Sequence, residues 1–348
     1  MLTRTLASVG ERIMNPTCRG ASIQERPRPL LLRNQRPSQL RSVATSGLRG
    51  PRGSLSLAPQ RSMGWLLSLI CMLAFAIPQT PAHAAEARPN RMQVEYVPPT
   101  NPDHQALYER LKERRALEKL QEIFSPLRLP VDLTLRTVGC SGVSNAWYGQ
   151  TEHQVSVCYE YLNEIHQLMP KETTPEGVTP IDAVMGQHFY VFAHEMGHAM
   201  FDILDVPVFG NAEDAADHFA TYIMLQFGKD QSRALITGAA YSYKKYVQGS
   251  EVTAPLAAFS DVHAAPAQRF YNMLCLAYGA DPILFADFVT GDTKDYLPKG
   301  RAHNCKREYD QVTFAFRDVI VPHLDRQMEK QVTDKTWLPD VKGRPSHK

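Results

Sequence analysis

The chain has 348 residues, 43% of them hydrophobic, and its 38 Lys and Arg nearly balance its 36 Asp and Glu, for a formal net charge of +2. The balance hides two unlike parts: residues 1–62 hold eleven Arg, no Lys and two acids, a net +9, so the remainder carries −7. A moderately acidic remainder excludes nucleic acid as a partner class.

Residues 1–62 are rich in Arg, Ser, Pro and Gly with no periodic apolar pattern, a composition that predicts disorder. The apolar run Trp65–Ile77 follows, too short for a spanning helix. Pro78 breaks it, and Ala82-His83-Ala84 supplies a small-x-small site, so residues 63–84 read as a signal peptide cleaved after Ala84. No small residue precedes Cys71, which argues against a lipid anchor. The basic extension is either a start codon placed too far upstream or a mitochondrial presequence. The first is favoured, because the apolar segment and cleavage site are complete without it. The expected location is periplasmic or secreted, with mitochondrial or membrane-tethered as the alternatives. Membrane contact would come only through an uncleaved signal segment, since no later apolar run is long enough to cross. Residues 85–348 suit one domain, or one with two closely packed lobes.

Within that domain, residues 85–100 are polar and read as an extended arm. Asn101-Pro102 opens a helix in which Leu107, Leu111, Leu117, Leu120, Ile123 and Phe124 recur at helical spacing, ending near Ser125-Pro126. Val131, Leu133 and Leu135 alternate as in a half-buried strand. Asn145–Tyr148 and Val155–Tyr159 flank Gly149-Gln150-Thr151-Glu152, a hairpin. Thr179-Pro180-Ile181-Asp182 reads as a capping box with Pro at the first helical position, starting a helix that runs to about Leu204. Asn211 caps the next helix, which ends at Gly228. Further helices are expected at about 231–247, 265–278, 282–290 and 306–330, and the end from Thr333 is polar and loose. A strand-containing first half followed by a helical half predicts an α+β fold.

The chemistry gathers where the halves meet. His194-Glu195-Met196-Gly197-His198 is an HExxH motif, and Glu213-Asp214-Ala215-Ala216-Asp217 an ExxAD motif. On helices, residues four apart share a face, so His194 and His198 would offer two imidazoles to one zinc ion, with Glu195 beside them to act on a bound water. Glu213 would complete a His2Glu set with an open fourth position. Asp217, one turn on, is placed to accept the second ring proton of a ligand His. Taken alone, HExxH arises by chance, and two His and a Glu can simply be a polar helix face. Here the motif sits in an apolar stretch, Phe189 to Ala193 before it and Ala199 to Phe201 after, where three titratable groups would be costly to bury without a partner.

Four cysteines lie beyond the cleavage site, Cys140, Cys158, Cys275 and Cys305, and an even count in an exported chain predicts two disulfides. Three connectivities are possible; proximity favours Cys140–Cys158 and Cys275–Cys305. No CxxC spacing occurs, which argues against a thiolate zinc site.

HExxH followed by ExxAD resembles the gluzincin metallopeptidases, in which a Glu on a second helix is the third zinc ligand. With Asn145-Ala146-Trp147-Tyr148, Val157-Cys158-Tyr159-Glu160, Gln268-Arg269-Phe270-Tyr271 and Cys275 to Pro282, the chain from about 95 to 325 is similar to the bacterial metallopeptidase family called domain of unknown function 4344. The resemblance implies a zincin-like fold, a small twisted sheet over an active-site helix with a helical lobe below. It also implies an edge strand that holds an extended substrate through its backbone. Asn145, Trp147 and Tyr148 are the candidates for that strand, with ordinary core or hairpin aromatics as the competing reading of the two rings. Asp261-Val262-His263, with Arg269 six residues after the His, resembles the His-Pro-x-x-x-x-Arg segment of CAAX-protease-type gluzincins, with Ala264 in place of Pro. That likeness gives His263 an oxyanion-stabilising role, with an ordinary solvent-exposed His as the competing reading.

The expectation is therefore an exported zinc-dependent peptidase acting on peptide or protein substrates, with Glu195 as general base. Its rivals are a zinc amidohydrolase of non-peptide substrates and a catalytically silent, zinc-stabilised envelope module. Glu195 argues against the last, because structural zinc needs no such carboxylate.

Overall fold

The computed structural model describes residues 88–89, 91–244, 260–290 and 296–339. The basic extension, the signal segment, the start of the arm and the expected helix end at 245–247 lie outside the described residues. The strands are β1 (Arg88–Pro89), β2 (Met92–Tyr96), β3 (Arg128–Leu129), β4 (Leu133–Val138), β5 (Ala146–Gly149) and β6 (Gln154–Cys158). The helices are α1 (Gln105–Glu113), α2 (Ala116–Phe124), α3 (Tyr159–Leu168), α4 (Pro180–Ile203), α5 (Ala212–Met224), α6 (Lys229–Lys244) and α7 (Pro266–Ala280), then α8 (Asp287–Thr290), α9 (Lys299–Ala302), α10 (Cys305–Val319) and α11 (Arg326–Asp334). The fold is α+β: a four-stranded mixed sheet and a mainly helical second half. Among the described residues no helix is long and apolar enough to cross a membrane.

The sheet order is β2-β4-β6-β5, with β2, β4 and β6 parallel and β5 antiparallel to β6. The expected hairpin is present, pairing Ala146 with Val157 and Gly149 with Gln154. It leaves β5 as one edge of the sheet. Leu133 and Leu135 point into the core from β4, and Val155, Ser156, Val157 and Cys158 are all buried, so β6 is covered on both faces. α2 packs against β2 and β4, while α4 packs against β5 and β6.

Several expectations need correcting. The polar arm becomes β2, whose Met92, Val94 and Tyr96 face the protein while Gln93 and Glu95 face out. Its Tyr96 hydroxyl accepts the Leu117 N–H at 2.8 Å, satisfying an orphan donor in the first turn of α2. The first helix is broken at Arg115, which adopts a left-handed conformation at φ 50° and separates α1 from α2. The strand expected to run through Tyr159 stops at Cys158, where α3, not foreseen, begins. The segment expected as helix at 282–290 is helical only as α8. The last helix splits into α10 and α11 around a 3-10 turn containing Pro322, which cannot donate to a continuous ladder.

The disulfides are Cys140–Cys158 and Cys275–Cys305. The first ties the loop before β5 to the end of β6, and the second ties α7 to α10.

Candidate metal centre

The site is built on α4 and α5. The Thr179 hydroxyl accepts the Asp182 N–H, and Pro180 follows at the first helical position, so this helix starts where the sequence places it. It then runs 24 residues, two-thirds of them buried and the rest half-buried. Asn211 caps α5 by accepting the Glu213 N–H at 2.9 Å. Gly197 lets the two helices touch: a Cβ there would lie 3.1 Å from the Ala216 Cα and 3.3 Å from the Phe219 Cβ. A larger residue at 197 would push Glu213 and Asp217 away from the two histidines.

Across this contact His194 Nε2, His198 Nε2 and Glu213 Oε2 converge. His194 lies 3.2 Å from His198 and 3.1 Å from Glu213, and His198 lies 3.2 Å from Glu213. Asp217 Oδ1 sits 2.7 Å from His194 Nδ1, in the expected place. The side of Asp217 facing α7 is closed by Arg269, which donates from Nε at 2.7 Å and from Nη2 at 2.6 Å. Asp217 is buried, a setting that would raise its pKa, but the guanidinium and His194 outweigh this and hold it well below the usual carboxylate range. A charged Asp217 can only accept, so His194 Nδ1 must be the donor and its Nε2 is turned toward Glu213 and His198.

Glu195 is buried beside them, and burial pushes its pKa up. For His194, burial alone would lower the pKa, but the carboxylates of Asp217 and Glu213 reverse the effect and lift it to about 9. Glu213 is likewise held far below its ordinary range by the three imidazoles around it, against the upward push of burial.

His263 joins the site from the loop before α7. Its Nε2 lies 2.9 Å from Glu213 Oε2, and Asp261 Oδ1 accepts its backbone N–H and stands 3.3 Å from its Nδ1. Asn211 Nδ2 donates to the Val262 carbonyl at 2.8 Å, fastening this loop to the α5 cap. The side chain remains 45% exposed.

A cavity of about 110 Å³ opens beside Glu195 and His194, reaching Asn145 and Ala146 at the start of β5 on one side and Tyr243, His263 and Arg269 on the other. The edge strand thus borders the site. Trp147 and Tyr148 do not line the cavity: Trp147 is 36% exposed, and the Tyr148 hydroxyl donates to Asp202 at the far end of α4. The anchoring of Asp217 by Arg269 and the tyrosines at 161 and 190 on the cavity wall were not anticipated from the sequence.

The profile of the family domain of unknown function 4344, described as a putative metallopeptidase, matches residues 96–320. The chain belongs to this family. No curated protein and no solved structure matches it. Membership in this metallopeptidase family implies a metal and, at a coarse level, peptide hydrolysis.

The residues present fit a metal. Three atoms able to ligate a metal meet within 3.2 Å, and a cation between them would take the place of the proton that otherwise joins His194 Nε2 to Glu213 Oε2. Bonds of about 2.0–2.1 Å in a tetrahedron put ligand atoms roughly 3.3 Å apart, close to the spacing seen. A second metal-compatible group, Cys140, Cys158 and Glu160, is otherwise occupied. Its two sulfurs are joined, and Glu160 accepts the N–H groups of Cys140 and Gly142, bracing the loop that leads to β5.

Proposed function

We propose that this chain is an exported zinc-dependent peptidase, with His194, His198 and Glu213 as the zinc ligands. The observation that carries the reading is the convergence of those three donor atoms beside a buried Glu195 that no structural metal would need. Zinc, when bound, supplies a lowered pKa for its water and polarisation of the scissile carbonyl.

The remaining duties fall to side chains. Asp217, held by Arg269, keeps the His194 proton on Nδ1 and so keeps Nε2 free to ligate. Glu195 takes the proton of the attacking water on its carboxylate and passes it to the leaving amine. His263 donates an Nε2–H hydrogen bond to the oxyanion that develops on the substrate carbonyl, letting go of Glu213 as it does so. The backbone from Asn145 into β5, through Trp147 and Tyr148, pairs with an extended substrate as an added strand.

Residues 63–84 act as the signal peptide, and residues 85–348 are the exported domain. Two disulfides in the domain fit an oxidising compartment. The test is metal analysis and peptide-library digestion of the exported protein, with and without a chelator. About one zinc per chain, chelator-sensitive cleavage and an N-terminus at Ala85 are expected. Cleavage that survives complete removal of metal sinks the reading.

A further inference from the structure

The cavity beside Glu195 contains a guanidinium that is only half used. Arg269 is pinned along one edge, where Nε and Nη2 grip the two oxygens of Asp217. A guanidinium carries five N–H donors in one plane. Here Nη2 has one left, which meets only the Tyr190 hydroxyl at 3.5 Å, and Nη1 makes no hydrogen bond among the described residues. The end edge of Arg269, Nη1 with Nη2, is therefore open in a cavity it lines. That edge has the fork geometry that a carboxylate accepts in two parallel bonds. Asn145, Tyr161 and Tyr243 line the same small space and bring further amide and hydroxyl donors.

Charge favours the same occupant. With a divalent ion on the three ligands, the ion and Arg269 balance Glu213, Glu195 and Asp217, and the site sums to zero. An arriving anion then meets no net repulsion, and the open guanidinium edge decides its orientation. The position points to the leaving-group side of the substrate. Glu195 must stand near the leaving amine to protonate it, and Glu195 lines this cavity. The residue carrying that amine is the one that reaches Arg269.

We propose that this cavity is a carboxylate-binding subsite, in which the open edge of Arg269 takes the carboxylate of the substrate residue on the leaving-group side. At about 110 Å³ it admits a short group: an aspartate side chain or the C-terminal carboxylate of the last residue. The inference rests on the peptidase reading for the identity of that residue, but the binding of the carboxylate itself does not.

The test is equilibrium binding to the zinc-loaded full-length exported protein carrying Glu195→Gln, which prevents turnover. Two matched pairs of peptides are compared: tri-alanine as free acid and as amide, and a capped pentapeptide with Asp or Asn as its only polar side chain. One pair should show a preference of about tenfold or more for the carboxylate member, the scale of a charge-assisted hydrogen bond. The pair that does so names the source of the carboxylate. Arg269→Lys, which can still pair with Asp217 but has no second edge, should erase the preference. If that variant is unfolded or metal-free, Tyr243→Phe should reduce it. Equal binding within both pairs overturns the subsite even if the wild type cleaves peptides. Succinate binding that depends on Arg269, in a protein that cleaves none, keeps the subsite and removes the peptidase.

Discussion

The two sides of the metal centre are built on different terms. The wall formed by α4 and α5 is buried and over-determined: Gly197 sets the helix separation, Asn211 and Thr179 fix the helix starts, and Arg269 and Asp217 lock the His194 ring. The opposite side is the loop that bears His263 and the open edge of β5. There His263 is nearly half exposed, held by Glu213, by Asp261 and through the hydrogen bond from Asn211 to the Val262 carbonyl. The contrast separates two needs. Ligands must hold one geometry to bind metal, whereas groups that meet a substrate must release one partner before taking another.

The comparison breaks most severely at the wall. His194→Ala, His198→Ala and Glu213→Ala should each lose the metal and all activity. Glu195→Gln should keep about one metal per chain and still abolish hydrolysis, because it removes the base and leaves every ligand in place. An active Glu195→Gln protein, or a Glu213→Ala protein with full metal content, contradicts the assignment. Asp214→Ala is the control: its carboxylate is not among the converging atoms, so metal should stay.

His263→Ala tests the other side. If His263 serves the oxyanion, its loss lowers kcat by about 10²–10³-fold with little change in KM or metal content. If instead it chiefly props Glu213, metal affinity falls and kcat of the fully loaded protein is unchanged. Paired metal titration and kinetics tell the two apart. Asp217→Ala should give the smaller effect, weakening metal binding by about 10–100-fold, because His194 remains but its ring is free to turn and change tautomer.

How much of this was legible depended on the range of the interactions. HExxH and ExxAD declare themselves because residues four apart share a helix face whatever the rest of the chain does. The starts of α4 and α5 were equally local, each written in a cap and the residue or two that follow. Arg269 lies 52 residues from Asp217, and only the packing of α7 on α5 brings them together, so no spacing in the sequence reports their bond. β2 was missed because its alternation is five residues long and its partner strand is supplied from beyond two helices. The break between α1 and α2 depends on Arg115 taking a left-handed conformation where no glycine marks it. Pro322, by contrast, is visible in the sequence, and it ends the ladder of the last helix because it has no N–H to donate.

The smallest expected effect concerns pH, and it falls on the rigid wall. His188, six residues before His194 on α4, keeps part of its surface exposed, but its Nε2 is enclosed with no hydrogen-bond partner. Burial, with the neighbouring His166 imidazole 5.4 Å away adding to it, pushes its pKa down to about 3. His166 is itself lowered by burial and by the charge of Arg110. In the unfolded chain His188 titrates near about 6.5. Between those two values the unfolded state binds the extra proton, so stability is complete above the upper value and is lost as pH falls toward the lower one. One such group contributes at most about 1.4 kcal/mol per pH unit. Urea midpoints at pH 7, 5 and 4 should therefore decline, and His188→Phe, which fills the space without a titrating nitrogen, should decline less steeply. Because His188 lies in the wall, the acid loss should appear as a shift of the whole cooperative transition, with metal released along with it. Parallel curves for wild type and His188→Phe rule out His188 as the acid-sensitive group, and metal release well before unfolding would show that the wall is not the rigid half of the site.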